Sequence, residues 1–474
     1  MMMMRAQVFY MVVFVLIWIG FTYLLFVQRP GALNARSSHH GTRLEPQLKV
    51  RLVEFETRLR QQIRDNAQLL REVQALHGGV EPAVVKFVDG ANEYEAGGLG
   101  GAGLDLQAVP GGGTGGGPAE SVRGSVGPIM PLLMFACNRV TVAQAVDLIL
   151  AIRGDRVQKF PLIVSQDCGH KATRDVLLGY GDQIIFLEQP HQSPIAVPAK
   201  EKKFQGYFNI ARHYGWALNH TFNELKYEQV IVVEDDLEIA PDFFEYFEAT
   251  LPILKSDPSL YCVSAWNDNG KQGLIDQVQK SLLYRSDFFG GLGWMLTREL
   301  WRELSPKWPA SYWDDWIRDP RQRRERACIR PEISRTKTFG KVGVSNGMFY
   351  DKHLKFIKLN DQFYDFTKAD LSYLLKAQYD PAFEAKLNAL PVVSVEELRS
   401  GEASGKHKAR HGAVRLVYHT KLVFKKYAKV LGIMDDFKAG VPRMAYKGVV
   451  STLFNGLRVY VSPAFSWKGY DPTW

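Results

Sequence analysis

A run of mostly β-branched apolar residues ends abruptly in three acids at Val230-Ile231-Val232-Val233-Glu234-Asp235-Asp236. Such a run predicts a buried strand that delivers carboxylates to its C-terminal end, where open α/β sheets bind ligands. Adjacent carboxylates repel one another unless a cation neutralises them. Mg²⁺ and Mn²⁺ prefer these oxygen ligands and often bind substrate phosphates, so the pattern favours a metal and nucleotide site. The alternative is an acidic loop in which Asp236 caps a helix near Pro241-Asp242-Phe243-Phe244.

Strand geometry limits how the three acids can share one ion. Side chains alternate between the two faces of a strand, so Glu234 and Asp236 are expected on one face and Asp235 on the other. The alternation therefore predicts that the three carboxylates do not all bind the same ion.

From Ile129 onward, apolar runs alternate with helical patterns. The sequence predicts strands within 129–139, 160–167, 183–187 and 230–236, and helices over 142–152 and 206–219. This order is typical of an α/β fold with a mostly parallel sheet and right-handed crossovers. Arg139, Asp167 and the three acids would then share the carboxyl-end edge of the sheet, where a nucleotide binds. The absence of a G-x-G-x-x-G or Walker motif disfavours dinucleotide oxidoreductases and P-loop enzymes.

Residues 8–27 contain no charged side chain. A stretch of this length spans a bilayer core as a helix, and it lacks the small-residue cleavage site of a signal peptide. We therefore predict a single-pass transmembrane signal-anchor after a short tail at 1–7. Charge does not decide its orientation, because Arg5 precedes the span and Arg29, Arg36 and Arg43 follow it.

Residues 28–128 are predicted to be a stem between the anchor and a globular body. Within the stem, apolar residues at 51–77 follow a heptad pattern, which is typical either of a coiled coil that would make the stem a homodimer or of a solvated amphipathic helix. Residues 97–117 are glycine-rich and predict a flexible linker. The stem is thus interpreted as a spacer.

The chain contains four cysteines, and no two of them form a C-x-x-C pair, which disfavours a zinc site. An even number beyond a membrane anchor predicts two disulfides, with three alternative connectivities. Four buried free thiols in a cytosolic domain are the alternative. Asn219-His220-Thr221 is the N-glycosylation sequon of the chain, and it could equally lie on a helix face.

The net charge of +9 and the pI near 9.1 do not by themselves indicate a nucleic-acid partner. The positive residues are dispersed, and the densest cluster (Arg321, Arg323, Arg324 and Arg326) lacks the spacing of a nucleic-acid-binding module. We therefore expect a solvated basic surface and no nucleic-acid partner.

Long strings in the body are specific enough to be compared with known families. They are Ser165-Gln166-Asp167-Cys168-Gly169-His170, Lys203-Phe204-Gln205-Gly206-Tyr207, Ile210-Ala211-Arg212-His213-Tyr214, Val232-Val233-Glu234-Asp235-Asp236, Ser264-Ala265-Trp266-Asn267-Asp268-Asn269-Gly270, Trp313-Asp314-Asp315-Trp316, Arg330-Pro331-Glu332-Ile333-Ser334-Arg335-Thr336 and His353-Leu354-Lys355-Phe356-Ile357-Lys358-Leu359-Asn360. These strings closely resemble the N-acetylglucosaminyltransferase I family. The similarity runs from about Ile129 to Trp474 and does not cover the stem.

The resemblance implies a GT-A glycosyltransferase fold. Residues 129–340 would form a Rossmann-like nucleotide-sugar domain, and 341–474 would supply a donor loop and a smaller C-terminal domain. The implied reaction is the inverting transfer of GlcNAc from UDP-GlcNAc, with Mn²⁺ as cofactor, in β1,2 linkage to the α1,3-arm mannose of the five-mannose N-glycan, a high-mannose acceptor on glycoproteins. This step starts hybrid and complex N-glycans. The resemblance also implies type II topology in the Golgi membrane, with the body in the lumen.

The resemblance assigns donor-side roles to individual residues. Asp236 would be the sole direct protein ligand of Mn²⁺, and Glu234 and Asp235 would hold hydroxyls of the GlcNAc and the ribose. The other positions that match donor contacts are Arg139, Asp167, His213 and Ser345, the last on a loop that orders over bound donor. Two positions nearby depart from the family pattern: Asn138 stands where Asp is usual, and Asn346 follows Ser345 where His is usual.

The resemblance also implies how the cysteines pair. Cys137 with Cys168 and Cys262 with Cys328 match the disulfides of the family.

Inverting transfer needs a base that takes the proton of the attacking hydroxyl. Asp314, in the string Trp313-Asp314-Asp315-Trp316, matches the base position of the family, and the flanking tryptophans are expected to shield it partly from water. The alternatives are that Asp314 caps the helix through Ile317-Arg318 or that Asp315 is the base. Indole faces here and at Trp266 could stack on sugar rings, or they could be core packing.

Three rival functions share parts of this pattern. A membrane-anchored lectin or scaffold could keep the fold without catalysis, but it would not need Asp236 and Asp314, and both are present. A two-metal phosphoesterase would need further carboxylates or histidines at the converging strand ends. Transfer of β1,2-linked GlcNAc to O-linked mannose belongs to a relative with an extra stem domain, for which the glycine-rich stem leaves no room.

Overall fold

The computed structural model describes residues 127–341, 343, 347 and 349–474. The predicted tail (1–7), anchor (8–27), coiled coil (51–77) and glycine-rich linker (97–117) lie outside the described residues, as do Ser345 and Asn346. Within the described ranges, no helix combines the length and apolar character needed to cross a bilayer.

The strands are β1 (Leu132–Ala136), β2 (Leu162–Gln166), β3 (Ile185–Glu188), β4 (Gln229–Glu234), β5 (Leu237–Ile239), β6 (Leu260–Ser264), β7 (Leu283–Ser286), β8 (Trp294–Thr297), β9 (Ala327–Pro331), β10 (Thr336–Thr338), β11 (Ala413–Tyr418), β12 (Phe437–Lys438), β13 (Val441–Pro442), β14 (Val450–Phe454) and β15 (Leu457–Pro463). The α-helices are α1 (Val142–Arg153), α2 (Lys171–Leu178), α3 (Gln205–Asn219), α4 (Phe243–Ser256), α5 (Arg298–Leu304), α6 (Trp313–Arg318), α7 (Pro320–Arg323), α8 (Lys376–Ala389), α9 (Val395–Ser400), α10 (Glu402–His411) and α11 (Lys421–Leu431). The predicted early strands and helices are therefore present, with boundaries shifted by a few residues.

The central sheet has the strand order β3-β2-β1-β4-β8-β6-β9-β7. Strands β3, β2, β1 and β4 are parallel, as predicted. The sheet is mostly parallel, as predicted, because β6 and β9 are parallel to each other and run in the same direction as β4. The exceptions are β8, which runs antiparallel to both β4 and β6, and β7, which runs antiparallel to β9. Parallel neighbours need a long crossover, usually a helix, and the chain between β6 and β8 contains no α-helix. The fold is thus a mixed α/β fold around one large sheet.

Alternate side chains of β1, β2 and β4 enter two different cores. Those that pack towards α1 and α4 are Leu132, Met134, Leu162, Val164, Ile231 and Val233. Those that pack towards α3 are Leu133, Phe135, Ile163, Val230 and Val232. Both faces of the parallel strands are therefore covered by helices, which explains why these strands read as continuous apolar runs.

A smaller sheet with the order β11-β15-β14 forms a further core in the C-terminal part of the chain. Helices α9 and α11 pack on it, and Phe288, which follows β7, belongs to the same core. The β12–β13 hairpin joins this core through Phe437, whose ring lies 5.1 Å from Phe424 and 5.9 Å from Trp474. The predicted domain boundary at 340/341 stays a prediction.

Both predicted disulfides are present. Cys137 and Cys168 follow β1 and β2 and have a Cα–Cα distance of 5.3 Å. Cys262 and Cys328 are register partners on β6 and β9, with a Cα–Cα distance of 4.6 Å. All four cysteines are paired, so the free-thiol alternative is wrong. The first bridge ties together two neighbouring strand ends at the edge where the polar residues collect.

The sequon lies on a helix, as its alternative interpretation predicted. Asn219 is exposed at the end of α3, and its side-chain oxygen accepts a hydrogen bond of 2.6 Å from Asn223. The hydroxyl of Thr221 is buried and donates to the carbonyl of Ala217 at 2.8 Å.

We predict that removing the first bridge destabilises the fold. The paired substitutions Cys137→Ser and Cys168→Ser should lower the free energy of unfolding by about 2–4 kcal/mol, because the bridge restricts the unfolded chain. Chemical denaturation followed by fluorescence measures the change. Peptide mapping without reduction is the control, and crossed pairs or free thiols in the unmodified protein would contradict the assignment.

Candidate active site

The acid triplet lies at the point where β4 ends. Glu234 is the last residue of the strand, and Asp235 and Asp236 form the turn that leads to β5. The amide of Asp235 donates to the carbonyl of Phe135 at 3.0 Å, and the amide of Phe339 donates to the carbonyl of Asp236 at 2.9 Å. Backbone hydrogen bonds on both sides therefore hold the turn in place. The alternative that Asp236 caps a helix is wrong, since the residue at the N-cap of α4 is Asp242.

One guanidinium joins two of the three acids. Arg139 Nη1 donates to Asp235 Oδ1 and to Asp236 Oδ2, each at 2.7 Å. The prediction that Asp235 points away from Asp236 is wrong, because strand alternation stops at Glu234 and the turn brings both carboxylates to one side. Burial raises the pKa of Asp235 to about 6, and the positive charge of Arg139 opposes that rise. One positive charge from the end of β1 thus offsets only part of the negative charge of the two carboxylates.

Glu234 has a separate environment behind the other two acids. The hydroxyl of Tyr214 donates to Glu234 Oε1 at 2.8 Å. Burial raises the pKa of Glu234 to about 7, and the negative charge of Asp236 adds to that rise. Tyr214 is stacked between Phe135, at 3.7 Å, and Trp313, at 4.4 Å. An aromatic stack therefore holds the group that binds Glu234.

Asp167 follows the end of β2, as the sequence predicted, and His213 contacts the same strand from α3. The His213 Nε2 and Ser165 Oγ atoms are 2.8 Å apart, and Asp167 Oδ1 accepts a hydrogen bond of 2.9 Å from Gln192 Nε2. Burial lowers the pKa of His213 to about 4, with the charge of Asp167 opposing, so the ring is neutral at pH 7. Ser345, the remaining predicted donor contact, lies outside the described residues.

The residues at the end of β4 fit a divalent cation in charge and in ligand type. Asp235 and Asp236 place oxygens around a single positive nitrogen, and carboxylate oxygens suit Mg²⁺ and Mn²⁺. Within the described residues, no group of three or more His, Cys, Asp or Glu side chains is arranged to hold a metal ion. The arrangement therefore fits an ion that takes few protein ligands and completes its shell with phosphate and water oxygens.

Gly340 leaves room for Asp236. A Cβ at position 340 would overlap Asp236 Oδ2 and lie 2.6 Å from Asp236 Cγ. A Cβ at Gly343 would lie 3.1 Å from Arg139 Nη2. The segment that follows β10 thus passes directly over the ion pair, and it can do so because these positions carry no side chain.

Asp314 lies in the first turn of α6 and pairs with Arg318. Arg318 Nη1 donates to Asp314 Oδ2 at 2.7 Å and to Asp315 Oδ1 at 2.9 Å. The residue at the N-cap is Tyr312, with a left-handed φ of 50°, so the alternative that Asp314 caps the helix is wrong. The expected shielding by tryptophans is also wrong: the Asp314 side chain is 44% exposed, because the ring of Trp313 turns into the core instead.

A cavity of about 380 Å³ joins the two acidic groups. Its lining includes Glu234 from β4, Asp314 and Asp315 from α6, and Lys438 and Arg443 from the C-terminal part of the chain. A volume of this size is typical of small-ligand sites. The cavity therefore brings the end of β4 and the candidate base to one space that suits a sugar.

The tryptophans are mainly packing residues. Trp266 is 1% exposed and donates through Nε1 to Asp268 Oδ1 at 2.9 Å, and Trp313 is 5% exposed. Both line the cavity with little of their rings, which favours the core-packing alternative. The rings with more accessible surface are Tyr207 and Tyr312, stacked at 4.8 Å. Sequence reasoning missed this pair, although Tyr312 directly precedes the Trp313 string.

Lys438 and Arg443 were also missed, and no local signal marked them. Lys438 lies 123 positions after Asp315, whose Oδ2 it contacts at 2.9 Å. Arg443 lies 175 positions after Asp268, which it contacts at 3.0 Å. Only the packing of the C-terminal part of the chain brings these cations to the cavity.

We predict that Gly340→Ala weakens binding of the nucleotide sugar. The added methyl group displaces Asp236 or the segment above it, and overpacking of this kind costs enough to lower metal-dependent UDP-GlcNAc affinity by about 10-fold or more. Calorimetric titration with UDP-GlcNAc, with and without Mn²⁺, measures the affinity, and Asp236→Ala, in which the carboxylate itself is absent, is the reference.

The matched control for this prediction is Gly405→Ala. Gly405 lies in α10, where an added Cβ meets nothing within 4 Å. The Gly405→Ala variant should therefore bind UDP-GlcNAc with the affinity of the unmodified protein. Equal affinities for the 340 and 405 variants would contradict the assigned role of Gly340.

Comparison with known proteins identifies the family. The model of the GNT-I family matches residues 114–474. The alpha-1,3-mannosyl-glycoprotein 2-beta-N-acetylglucosaminyltransferase of Arabidopsis thaliana is 38% identical over 335 residues, which cover 70% of this chain and 73% of that protein. The family resemblance found in the sequence is therefore confirmed.

Solved structures show weaker similarity. S. aureus TarS 1–349 in complex with UDP is 10% identical, with a TM-score of 0.30, over 43% of this chain and 58% of that one. The mannosyltransferase PcManGT from Pyrobaculum calidifontis, in complex with GDP-Man and Mn²⁺, is 14% identical, with a TM-score of 0.25, over 37% of this chain and 46% of that one. The chain thus spans about half of each solved structure, and similarity at this level supports no inference about activity. The family match and the identity to the plant enzyme are sufficient, and the chain belongs to the GNT-I family.

Proposed function

We propose that this protein is an inverting glycosyltransferase that moves GlcNAc from UDP-GlcNAc, in β1,2 linkage, onto the α1,3-arm mannose of the five-mannose N-glycan. The observation that carries the proposal is the shared cavity: Glu234, beside the Arg139–Asp235–Asp236 cluster, and Asp314 line one space. A donor bound at the strand ends and an acceptor bound at α6 would meet there. Family membership and the name of the plant relative support the choice of sugar and acceptor.

The donor half of the site is built on the carboxyl ends of β1, β2 and β4. Arg139, Asp167 and His213 would contact the uridine nucleotide, as the family resemblance implies, and Asp235 and Glu234 would hold the ribose and GlcNAc hydroxyls. Asp236 would hold Mn²⁺, which, when bound, supplies positive charge to the departing diphosphate. Gly340 keeps the space above Asp236 open for this role.

The acceptor half of the site needs a base. The mannose 2-hydroxyl oxygen attacks C1 of GlcNAc, the bond from C1 to the phosphate oxygen breaks, and UDP leaves with the electron pair. Attack opposite the leaving group inverts C1 and gives the β linkage. Asp314 accepts the hydroxyl proton. Its exposure of 44% leaves it accessible to an acceptor that enters the cavity.

Location and partners form part of the same proposal. The apolar run at 8–27 would anchor the chain as a single-pass type II protein in the Golgi membrane, with the body in the lumen. The two disulfides support an oxidising compartment. High-mannose glycoproteins are the proposed acceptors, and the heptad pattern at 51–77 would form a stem homodimer.

We predict that Asp314→Asn loses turnover without losing the donor. The amide keeps the shape of the side chain but cannot accept the proton, so kcat should fall by about 10²-fold or more. Donor binding, measured by calorimetry, should be retained because Asp314 is in α6 and is not part of the Arg139–Asp235–Asp236 cluster. Asp315→Asn is the matched variant, and a larger loss there would identify Asp315 as the base.

Acceptor choice is tested with defined glycans. The full-length protein, incubated with UDP-GlcNAc and Mn²⁺, should transfer one GlcNAc to a five-mannose N-glycan, and mass spectrometry with linkage analysis should show a β1,2 bond on the α1,3-arm mannose. An O-mannosyl peptide is the comparison acceptor. Equal or preferred transfer to the peptide would overturn the N-glycan proposal, and binding of the glycan without transfer would indicate a lectin.

A further inference from the structure

Two carboxylates stand side by side on α6, but their hydrogen bonds are unequal. Asp315 uses both oxygens: Oδ1 accepts from Arg318 Nη1 at 2.9 Å and Oδ2 accepts from Lys438 Nζ at 2.9 Å. Asp314 uses one oxygen, since Oδ2 accepts from the same Arg318 nitrogen at 2.7 Å. Within the described residues, no side chain or amide binds Asp314 Oδ1. The two aspartates are almost equally exposed, at 44% and 43%, so solvent access does not distinguish them.

Arg318 cannot move freely between the two aspartates. Its Nε donates to the carbonyl of Phe289 at 3.1 Å, and its guanidinium lies over the rings of Phe288, at 5.0 Å, and Phe289, at 5.7 Å. The side chain is 10% exposed. Arg318 therefore donates hydrogen bonds to both aspartates from one fixed position.

Lys438 reaches α6 from the C-terminal part of the chain. It is in β12, which pairs with β13, and the hairpin is held by Arg443, which binds Asp436 at 2.8 Å and Asp268 at 3.0 Å. Arg443 also lies 5.2 Å over the ring of Phe288, on which Arg318 packs. The hairpin and the helix that carries the candidate base are therefore connected through one phenylalanine and two cations.

We propose that Lys438 is a positioning residue of the transfer reaction: with Arg318 it binds both oxygens of Asp315 in a charge-balanced cluster, so that Asp314 alone keeps a carboxylate oxygen for the acceptor hydroxyl. This inference rests on the proposed function. The carboxylates of Asp314 and Asp315 and the cations Arg318 and Lys438 make the cluster neutral as a whole. Asp315 acts through its partners and does not touch the substrate.

The electrostatics of the cluster agree with this division of roles. Burial raises the pKa of Asp315, but the hydrogen bond from Lys438 and the charge of Arg318 outweigh it and hold the pKa below its usual value. The other titratable groups that line the cavity or lie directly behind it are Tyr207, Tyr214, Glu234, Asp268, Tyr312 and Arg443. None of these is a hydrogen-bond partner of Asp314 among the described residues. Arg318, Asp315 and Lys438 are therefore the charged groups connected to Asp314 by direct hydrogen bonds or through its partner Arg318.

The pH profile of kcat/KM tests the proposal, because a base must be ionised to act and the rate falls as the pH drops through its pKa. Lys438→Met removes a positive charge, favours the protonated form of Asp314 and should move the acid limb to higher pH by about 0.5 unit or more. Asp315→Asn removes a negative charge and should move the limb to lower pH by a similar amount. The double variant is neutral again, so its limb should return to the position of the unmodified enzyme.

Matched controls separate charge from structure. Lys438→Arg keeps the charge and should keep the limb, and Lys429→Met removes an exposed lysine of α11 that does not line the cavity and should leave the profile unchanged. The proposal would be overturned if the acid limbs of Lys438→Met, Asp315→Asn and their double variant were superimposable. It would also be overturned if the limb of the double variant lay further from that of the unmodified enzyme than the limbs of the single variants. If the unmodified enzyme transfers no GlcNAc to the five-mannose glycan, the proposed function fails instead.

Discussion

The interaction on which the site depends is the contact of one guanidinium with two carboxylates at the end of a buried strand. β4 is covered on both faces, so the acids that follow it leave the core at a fixed place. Arg139 follows β1, the parallel neighbour of β4, and its Nη1 lies 2.7 Å from each carboxylate. Without a cation there, two partly buried negative charges would repel each other. The same constraint makes the place suitable for a metal ion and a diphosphate.

An aromatic stack connects this acidic edge to the candidate base. Phe135 on β1, Tyr214 on α3 and Trp313 on α6 lie face to face at 3.7 Å and 4.4 Å, and Trp313 continues to Trp294 on β8 at 5.8 Å. Rings packed in this way have little freedom to shift. The position of Asp314 relative to Glu234 therefore follows from core packing, although Asp314 itself is partly exposed.

Much of the proposed donor side could be predicted from the chain, because it is built from local patterns. β-branched runs predicted β1, β2 and β4, and the polar residues directly after them had to share one edge of a parallel sheet. The predicted alternation of side chains failed at Asp235 because the strand ends one residue earlier. The antiparallel strands β7 and β8 were not predicted, because no helix lies between β6 and β8 to carry a parallel crossover. The exposure of Asp314 was misjudged because neighbours in sequence, such as Trp313, need not be neighbours in space.

The sequence by itself determined which residue types stand at the strand ends, that four cysteines form two bridges, and which family the chain resembles. These are properties of short, contiguous strings. Only the tertiary structure decided that Asp235 and Asp236 share Arg139, that Tyr207 and Tyr312 stack, and that Lys438 binds Asp315 across 123 positions. The physical reason is that such contacts depend on how separate cores pack together, and a side chain that reaches a site from another core leaves no periodicity or spacing near the site to predict it.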